Sequence, residues 1–161
     1  MAKHLLHSST EDFDFTLLGM TSPENQYFIV STINDALNIN LSLNSYENFN
    51  LKDGKIFCFS LYHYLDEDLG IEYFMIPNSS NFEEPNVNTS SANDLFASVD
   101  VNESVRLIKE LPKTDYFLIV KGEDYFTYEH KIIDRIKTIP EIIQVQNIQP
   151  SELPSKRNLI F

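Results

Sequence analysis

The chain has 161 residues, with 24 aspartates and glutamates against 12 lysines and arginines, so its formal net charge is -12 and its pI is about 4.6. This length fits one domain, and a domain of this size buries about 70% of its unfolded surface, enough for a core without cross-links. The single cysteine, Cys58, excludes an intramolecular disulfide, a cysteine-rich zinc site and an iron-sulfur cluster.

The negative charge lies in the first two-thirds of the chain. Residues 1–51 hold one base and six acids, residues 52–105 hold two bases and ten acids, and residues 106–161 hold nine bases and eight acids. No basic cluster is present to neutralise a run of phosphates, so we predict neither nucleic acid nor an anionic membrane surface as a partner. The acidity indicates either a solubilising surface or a docking surface for a basic protein.

The sequence also predicts a cytoplasmic location without membrane contact. The first residues contain only two consecutive leucines, Leu5 and Leu6, whereas a signal-peptide core needs about 7 to 15 apolar residues. The longest apolar runs, such as 117–120, are far shorter than the roughly 20 residues that span a bilayer. The lone cysteine fits a reducing compartment.

The first third of the chain predicts a strand, a helix and an edge strand. Residues 13–20 first alternate between apolar and polar side chains and then become fully apolar, which is typical of a strand that enters the interior of a sheet. The run Thr21-Ser22-Pro23-Glu24 is a helix start, and apolar spacings of three and four continue to about Asn38–Asn40. Residues 41–51 indicate an irregular or edge strand.

The middle of the chain predicts a β-hairpin followed by a polar loop. In residues 55–65 and 71–76, the odd and the even positions are both largely apolar, which is typical of strands covered on both faces. A short acidic link joins the two runs and predicts a tight loop between two strands. Residues from about 78 to 94 are polar and of low complexity, which predicts a flexible loop. Residues 95–98 indicate a short strand, and residues 102–111 a short helix stopped by Pro112.

The last third predicts a βαβ unit. Residues 115–121 are a buried type of strand, residues 124–138 an amphipathic helix stopped by Pro140, and residues 142–148 a final strand. The opening segment, 13–51, has the same order of elements. We therefore predict one α+β domain over residues 1–161: a mixed sheet of five or six strands with two main helices on one face and a C-terminal βαβ unit.

No pattern in the sequence carries catalytic chemistry. With four glycines the chain lacks a phosphate loop, and it has no GxSxG or HExxH motif. Cys58 and His63 would point to opposite faces of one strand, and His63 beside Asp66, Glu67 and Asp68 is better explained as a solvated turn than as a cation site. His4 and His7 would chelate only in a helical tail. We assign no catalytic, metal or cofactor-binding residue and predict no cofactor.

Three segments in the C-terminal half and one at the start resemble a known family. The run 115–122, then Ile139-Pro140-Glu141 closing a helix, then the ending 153–161 are similar to the IPExxVD family of small bacterial proteins, as is 14–19 with its following helix. Gln144 and Val145 stand where the family pattern has Val and Asp. The resemblance implies no activity, because the family has no defined catalytic residues. Physically, Ile139, Pro140 and Glu141 predict a helix-to-strand corner with a structural role.

The end of the chain predicts a docking tail. Leu159, Ile160 and Phe161 form an apolar triplet after a polar stretch, and burying such side chains contributes about 1.5 to 3 kcal/mol each before the cost of ordering the tail. We expect the triplet to dock on its own domain or on a partner, with Lys156 and Arg157 near the acidic region of residues 52–105.

These observations favour a non-catalytic, cytoplasmic protein-interaction or regulatory module that binds another protein or a second copy of itself. The alternative is a small-ligand sensor similar to ferredoxin-like regulatory domains, with an unknown ligand between two βαβ halves.

Overall fold

The computed structural model describes residues 13–81 and 104–161. Within them the chain forms eight β-strands, two α-helices and two short 3₁₀ helices. The strands are β1 Thr16–Thr21, β2 Ser42–Lys52, β3 Lys55–Asp66, β4 Ile71–Pro77, β5 Ser79–Asn81, β6 Ser104–Arg106, β7 Tyr116–Gly122 and β8 Gln144–Ile148. The α-helices are α1 Gln26–Leu37 and α2 Tyr125–Lys137, and the 3₁₀ helices are Pro150–Glu152 and Lys156–Leu159.

Six of these strands form one sheet in the order β2-β3-β4-β7-β1-β8, and β5 pairs with β6 beside it. The predicted α+β class, the number of strands and the C-terminal βαβ unit are confirmed. Every neighbouring pair in the sheet is antiparallel, whereas a mixed sheet was expected. The reason is that β1 lies between β7 and β8, so the two parallel strands of the βαβ unit are not neighbours.

The sheet contains two interleaved βαβ units. The unit β7-α2-β8 encloses β1, and in the same way β1 and β4, which are connected through α1, enclose β7. This is the split-βαβ, or ferredoxin-like, arrangement. The opening unit was expected to end within residues 13–51, but its second strand is β4. The β2–β3 hairpin is inserted between α1 and β4 and extends the sheet sideways.

Both helices cover the same face of the sheet, which we call the helix face. Helix α1 begins at Gln26, where the side chain of Asn25 accepts a hydrogen bond of 3.0 Å from Phe28 N, and it ends at Asn38 in the left-handed conformation. The helix begins after the predicted start at Thr21-Ser22-Pro23-Glu24. The Ser22 hydroxyl accepts the N–H of Glu24 at 3.2 Å, but Ser22 also makes tertiary contacts: its N–H donates to Asp115 and its hydroxyl to the carbonyl of Glu141. The helix-face core includes Leu18, Met20, Ile29, Ile33, Met75, Leu118, Val120 and Ile136.

The opposite face, which we call the open face, is covered by irregular segments. Residues 107–114 and the two 3₁₀ helices lie over it, and Leu107, Ile108, Leu153 and Leu159 are buried there. Their sheet partners are large apolar side chains of β1, β3, β4 and β7, among them Leu17, Phe57, Phe59, Phe117 and Ile119. The sequence did not predict this second layer, because its segments have no regular periodicity.

The helix predicted over 102–111 is wrong where the structure describes it. Residues 104–106 form β6, and the next residues are held by Asn78 rather than by helical bonds. The main chain of Asn78 pairs with Leu107 N, its side-chain oxygen accepts from Ile108 N at 2.8 Å, and its amide group donates to carbonyls of the 108–114 segment. Of the predicted loop at 78–94, residues 82–94 lie outside the described residues, as do the strand predicted at 95–98 and the His4–His7 tail.

Candidate functional site

Strand β2 forms one edge of the sheet and pairs with β3 alone. It has 11 residues and its outer row of backbone groups has no strand partner in the described part of the chain. Natural edge strands are usually protected by lysines, prolines or short length. Here the strand is long, has no proline, and carries only Glu47 and Lys52 as charged residues. Its outer edge therefore offers backbone groups for pairing with another extended chain.

The pairing register shows where β2 is regular. Register shifts occur between Leu43 and Ser45 and between Asn50 and Lys52, and between them residues 45–50 pair residue by residue with β3. Bulges twist an edge strand and interrupt its pairing, so the two register shifts mark the ends of the regular segment 45–50. The six regular residues are the part of the edge that can accept a further strand.

The side chains of β2 divide into a covered and an uncovered set. Phe49 points to the open face, where its ring lies 5.7 Å from that of Phe59. On the helix face, Tyr46 is 58% exposed and Ile56 of β3 is 59% exposed. Helix α1 leaves both side chains exposed, although its Gln26 Nε2 donates a hydrogen bond of 3.3 Å to Ser60 Oγ, and Ser60 is the β3 partner of Tyr46. We call the outer edge of residues 45–50, together with Tyr46, Ile56 and Tyr27 of α1, the edge surface.

Tyr62 lies under the edge surface and has an unusual hydroxyl. The side chain is 4% exposed, and its hydroxyl oxygen is buried without a hydrogen-bond partner among the described residues. Burial, and then the nearby hydroxyls of Tyr27, Tyr46 and Tyr116, raise the pKa of Tyr62 to about 12. The group is neutral at physiological pH. On the helix face, the edge surface is thus aromatic and aliphatic, and it lies over a phenol that has no acceptor among the described residues.

The apolar tail lies on the open face of its own chain. Leu159 is 1% exposed, whereas Ile160 is 52% exposed. The ring of Phe161 stacks on Phe74 with 6.1 Å between centroids, and Lys121 Nζ donates to the main-chain oxygen of Phe161 at 2.8 Å. The three residues therefore differ: Leu159 is part of the core, Ile160 faces solvent, and Phe161 packs at the edge of the core.

Lys156, one of the two basic residues before the tail, lies beside an aromatic ring. The ammonium group of Lys156 is 4.9 Å from the ring centroid of Phe13 and donates to the carbonyl of Ser151 at 3.5 Å. In the part of the chain that the structure describes, it does not contact residues 52–105. The 3₁₀ helix from Lys156 turns the side chain towards Phe13, whose aromatic face accepts the cation. Five of the acidic residues in 52–105 lie outside the described residues, so the expected proximity of Lys156 and Arg157 to that region stays a prediction.

The Ile139-Pro140-Glu141 segment joins α2 to β8. Ile139 is buried in the helix-face core, and its N–H donates to the carbonyl of Ile136, while Pro140 is exposed. Glu141 contributes its main-chain carbonyl, which accepts the hydroxyl of Ser22 at 2.7 Å. These contacts hold the corner against the loop after β1.

The histidine and the acidic loop of the hairpin do not form a metal centre. His63 Nε2 lies 3.0 Å from Glu72 Oε2, and its ring is 4.6 Å from that of Phe74 on the open face. Asp66 Oδ1 instead accepts the N–H groups of Asp68 and Leu69, which closes the turn. Cys58 is half-buried on the helix face, so it is separated from His63 as predicted. Residues 13–81 and 104–161 contain no cluster of three or more potential metal ligands.

Comparisons with protein-family models, with curated proteins and with solved structures return no match to this chain. In the described segments, neither helix has the length and apolar character required to cross a membrane. The edge surface was only partly visible in the sequence. Its position at an edge was predicted, but the exposure of Tyr46 and Ile56 depends on how far α1 extends over the sheet, which no local pattern encodes.

Proposed function

We propose that this protein is a non-catalytic interaction module that binds an extended segment of another protein along β2. The observation that carries the proposal is the regular, unpaired edge of residues 45–50 beside exposed Tyr46 and Ile56. Strand addition uses backbone hydrogen bonds for affinity and side-chain contacts for specificity. Tyrosine suits such a surface because it offers a large, rigid contact area with a polar end.

The charge of the chain favours a basic partner segment over a second copy. Two copies would each bring a net charge of -12 to the contact, and like charges oppose association. A segment that carries lysines or arginines would be attracted instead, and this attraction acts mainly on the rate of encounter. The lone cysteine is in keeping with a cytoplasmic setting, which belongs to the same proposal, as does membership of the IPExxVD family.

Matched lysine substitutions at the two edges of the sheet test the proposal. Asn48→Lys and Tyr46→Lys place a charge on β2, and Gln146→Lys places the same charge on β8, the opposite edge strand. All three positions are exposed, so each change should alter stability by no more than about 0.5 kcal/mol. Affinity purification with mass spectrometry from native lysate should recover the same companion chain with the wild type and Gln146→Lys, and lose it with both β2 variants.

Two results would count against this function. One is recovery of the wild-type protein alone as a monomer. The other is a companion retained equally by all variants, which would place the contact elsewhere.

The topology favours the sensor alternative as a second candidate. The split-βαβ arrangement of β1, β4, β7 and β8 is that of ferredoxin-like regulatory domains, an argument from fold analogy alone. Thermal-shift screening against amino acids and nucleotides tests it, because a ligand at 100 times its Kd stabilises by about 2.7 kcal/mol. The absence of a shift with every metabolite class would remove this candidate.

A further inference from the structure

A cleft on the helix side of the molecule lies between the end of α1, one face of α2 and the β3–β4 turn. Its volume is about 480 Å³, within the range of about 300 to 1,000 Å³ that small-molecule sites occupy. Tyr73 of β4 also contributes to it, and α1 and α2 are fixed by the helix-face core. Its lining includes Leu37, Ile39, Asp66, Leu69, Tyr73, Tyr128, Lys131, Ile132 and Arg135.

Two cations line one wall of this cleft. Lys131 and Arg135 are four residues apart on α2, so they lie on the same side of the helix, together with Tyr128 and Ile132. Across residues 13–81 and 104–161, neither has a carboxylate within ion-pair distance. This pairing of unneutralised cations is notable because the chain as a whole carries a charge of -12.

One acid, Asp66, also lines the cleft, but it is not within ion-pair distance of Lys131 or Arg135. Asp66 is held by the turn: its Oδ1 accepts the N–H groups of Asp68 and Leu69, each at 3.1 Å. Asp66 is the last residue of β3, whereas the cations belong to α2. The α2 wall of the cleft therefore presents positive charge.

The remainder of the cleft is apolar with phenolic groups. Leu37, Ile39 and Leu69 supply aliphatic surface, and Tyr73, which is buried, comes from β4. Burial, and then the charge of Asp66, raise the pKa of the Tyr73 hydroxyl above its ordinary value. The hydroxyl therefore keeps its proton at physiological pH and can donate a hydrogen bond.

We propose that this cleft binds a small organic anion, with Arg135 and Lys131 holding its carboxylate or phosphate group and the aliphatic lining contacting its apolar body. The planar guanidinium of Arg135 suits two parallel hydrogen bonds to such a group, and Lys131 adds a point charge. The site goes beyond strand pairing at β2, and it would supply the ligand site of the sensor alternative.

Titration of ¹⁵N-labelled protein with two anionic probes and one neutral probe tests the assignment. Benzoate and phenyl phosphate represent the two sources of negative charge, and benzyl alcohol has a similar ring without a charge. We expect saturable amide shifts around residues 37–39, 66–73 and 128–135 with at least one anion, and none with benzyl alcohol. The tighter of the two anions identifies the preferred group.

Charge-removing variants on α2 provide the control. Arg135→Met and Lys131→Met should each weaken binding about tenfold, while Lys137→Met removes the same charge from the same helix outside the cleft and should leave the Kd unchanged. The three residues are exposed, so folding is preserved. Tyr46→Lys at the edge surface should also bind the anion normally, which separates this site from the proposed function.

The proposal is overturned by any of three results. These are the absence of saturable binding by both anions up to about 10 mM, amide shifts that map outside the cleft, or equal affinities for Arg135→Met, Lys131→Met and Lys137→Met.

Discussion

Replacing Leu159 by alanine should destabilise the protein more than any other change in the last three residues. Leu159 is 1% exposed and packs into the open-face core, so its removal loses both the transfer free energy and the contacts around the cavity. Such changes cost about 2 to 5 kcal/mol. The residue lies close to the chain end, where neighbours can partly fill the space, so we expect the lower part of that range.

The neighbouring positions provide a graded comparison. Ile160→Ala removes a side chain that is 52% exposed and should change the free energy of unfolding by no more than about 0.5 kcal/mol. Phe161→Ala loses the stacked contact with Phe74 and should cost about 1 kcal/mol. For a chain of this size, 1 kcal/mol corresponds to about 2 to 4 °C in Tm, so Leu159→Ala should lower the Tm by about 5 to 10 °C.

Thermal unfolding and light scattering on the same samples show whether the tail packs on its own core or on a partner. A decrease in Tm for Leu159→Ala at unchanged mass agrees with a tail that is part of its own core. A loss of oligomeric mass with an unchanged Tm would instead assign the triplet to a partner interface. Equal, small effects for Leu159→Ala and Ile160→Ala would refute the packing described above.

Three further changes test the fold. Tyr62→Phe removes a buried hydroxyl that has no partner among the described residues and should raise the Tm by a few degrees, about 1 kcal/mol; a lower Tm would reveal an acceptor. Burial alone would raise the pKa of Glu110, but hydrogen bonds from Ser155 lower that pKa below 4.5. The carboxylate therefore contributes stability above pH 4.5, and this contribution is lost as the pH falls through the lowered pKa of the folded protein. Glu110→Gln should remove this part of the acid dependence in chemical unfolding at several pH values, and an unchanged dependence contradicts it. Gly122→Ala should lower the free energy of unfolding by at least about 2 kcal/mol, because Gly122 has a φ of 133° and a Cβ there would lie 2.1 Å from a backbone oxygen. Gly54→Ala is the control: its Cβ would meet no atom within 4 Å, so it should cost less in the same assay.

Strong local patterns predicted the elements that they encode. The hairpin of β3 and β4 followed from two apolar runs around an acidic turn, and α2 followed from apolar spacings between Gly122 and Pro140. In the same way, the asparagines near residue 38 predicted the end of α1, where Asn38 takes the left-handed conformation. In each case the signal lies within the element itself or directly beside it.

The failures come from long-range contacts. The apolar residues 107, 108 and 111 have helical spacing, yet their backbone groups are bound by Asn78, about 30 residues earlier in the chain. As a result, Leu107 and Ile108 pack on the open face. Helix α1 begins at Gln26 and not within the predicted run 21–24, because Asp115 and Glu141 bind the polar groups of Ser22. The anion cleft was missed for the same reason, since its cations and its buried tyrosine are more than 50 residues apart in the chain.

Amide hydrogen exchange should rank the strands by their place in the sheet. Strand β7 is paired on both sides, by β4 and β1, and residues 116–120 are buried, so its amides should exchange only through the largest openings. Residues 45–50 of β2 pair on one side only and have exposed helix-face side chains, so their outward amides should exchange orders of magnitude faster.

Exchange measured with and without the companion chain then connects stability with function. Because strand addition hydrogen-bonds the outer edge of β2, the companion should slow exchange there and leave β8 unchanged. Slow exchange at residues 45–50 in the isolated protein would contradict an open edge, since another segment would already cover it. Protection of β8 in place of β2 would move the interface to the opposite edge of the sheet.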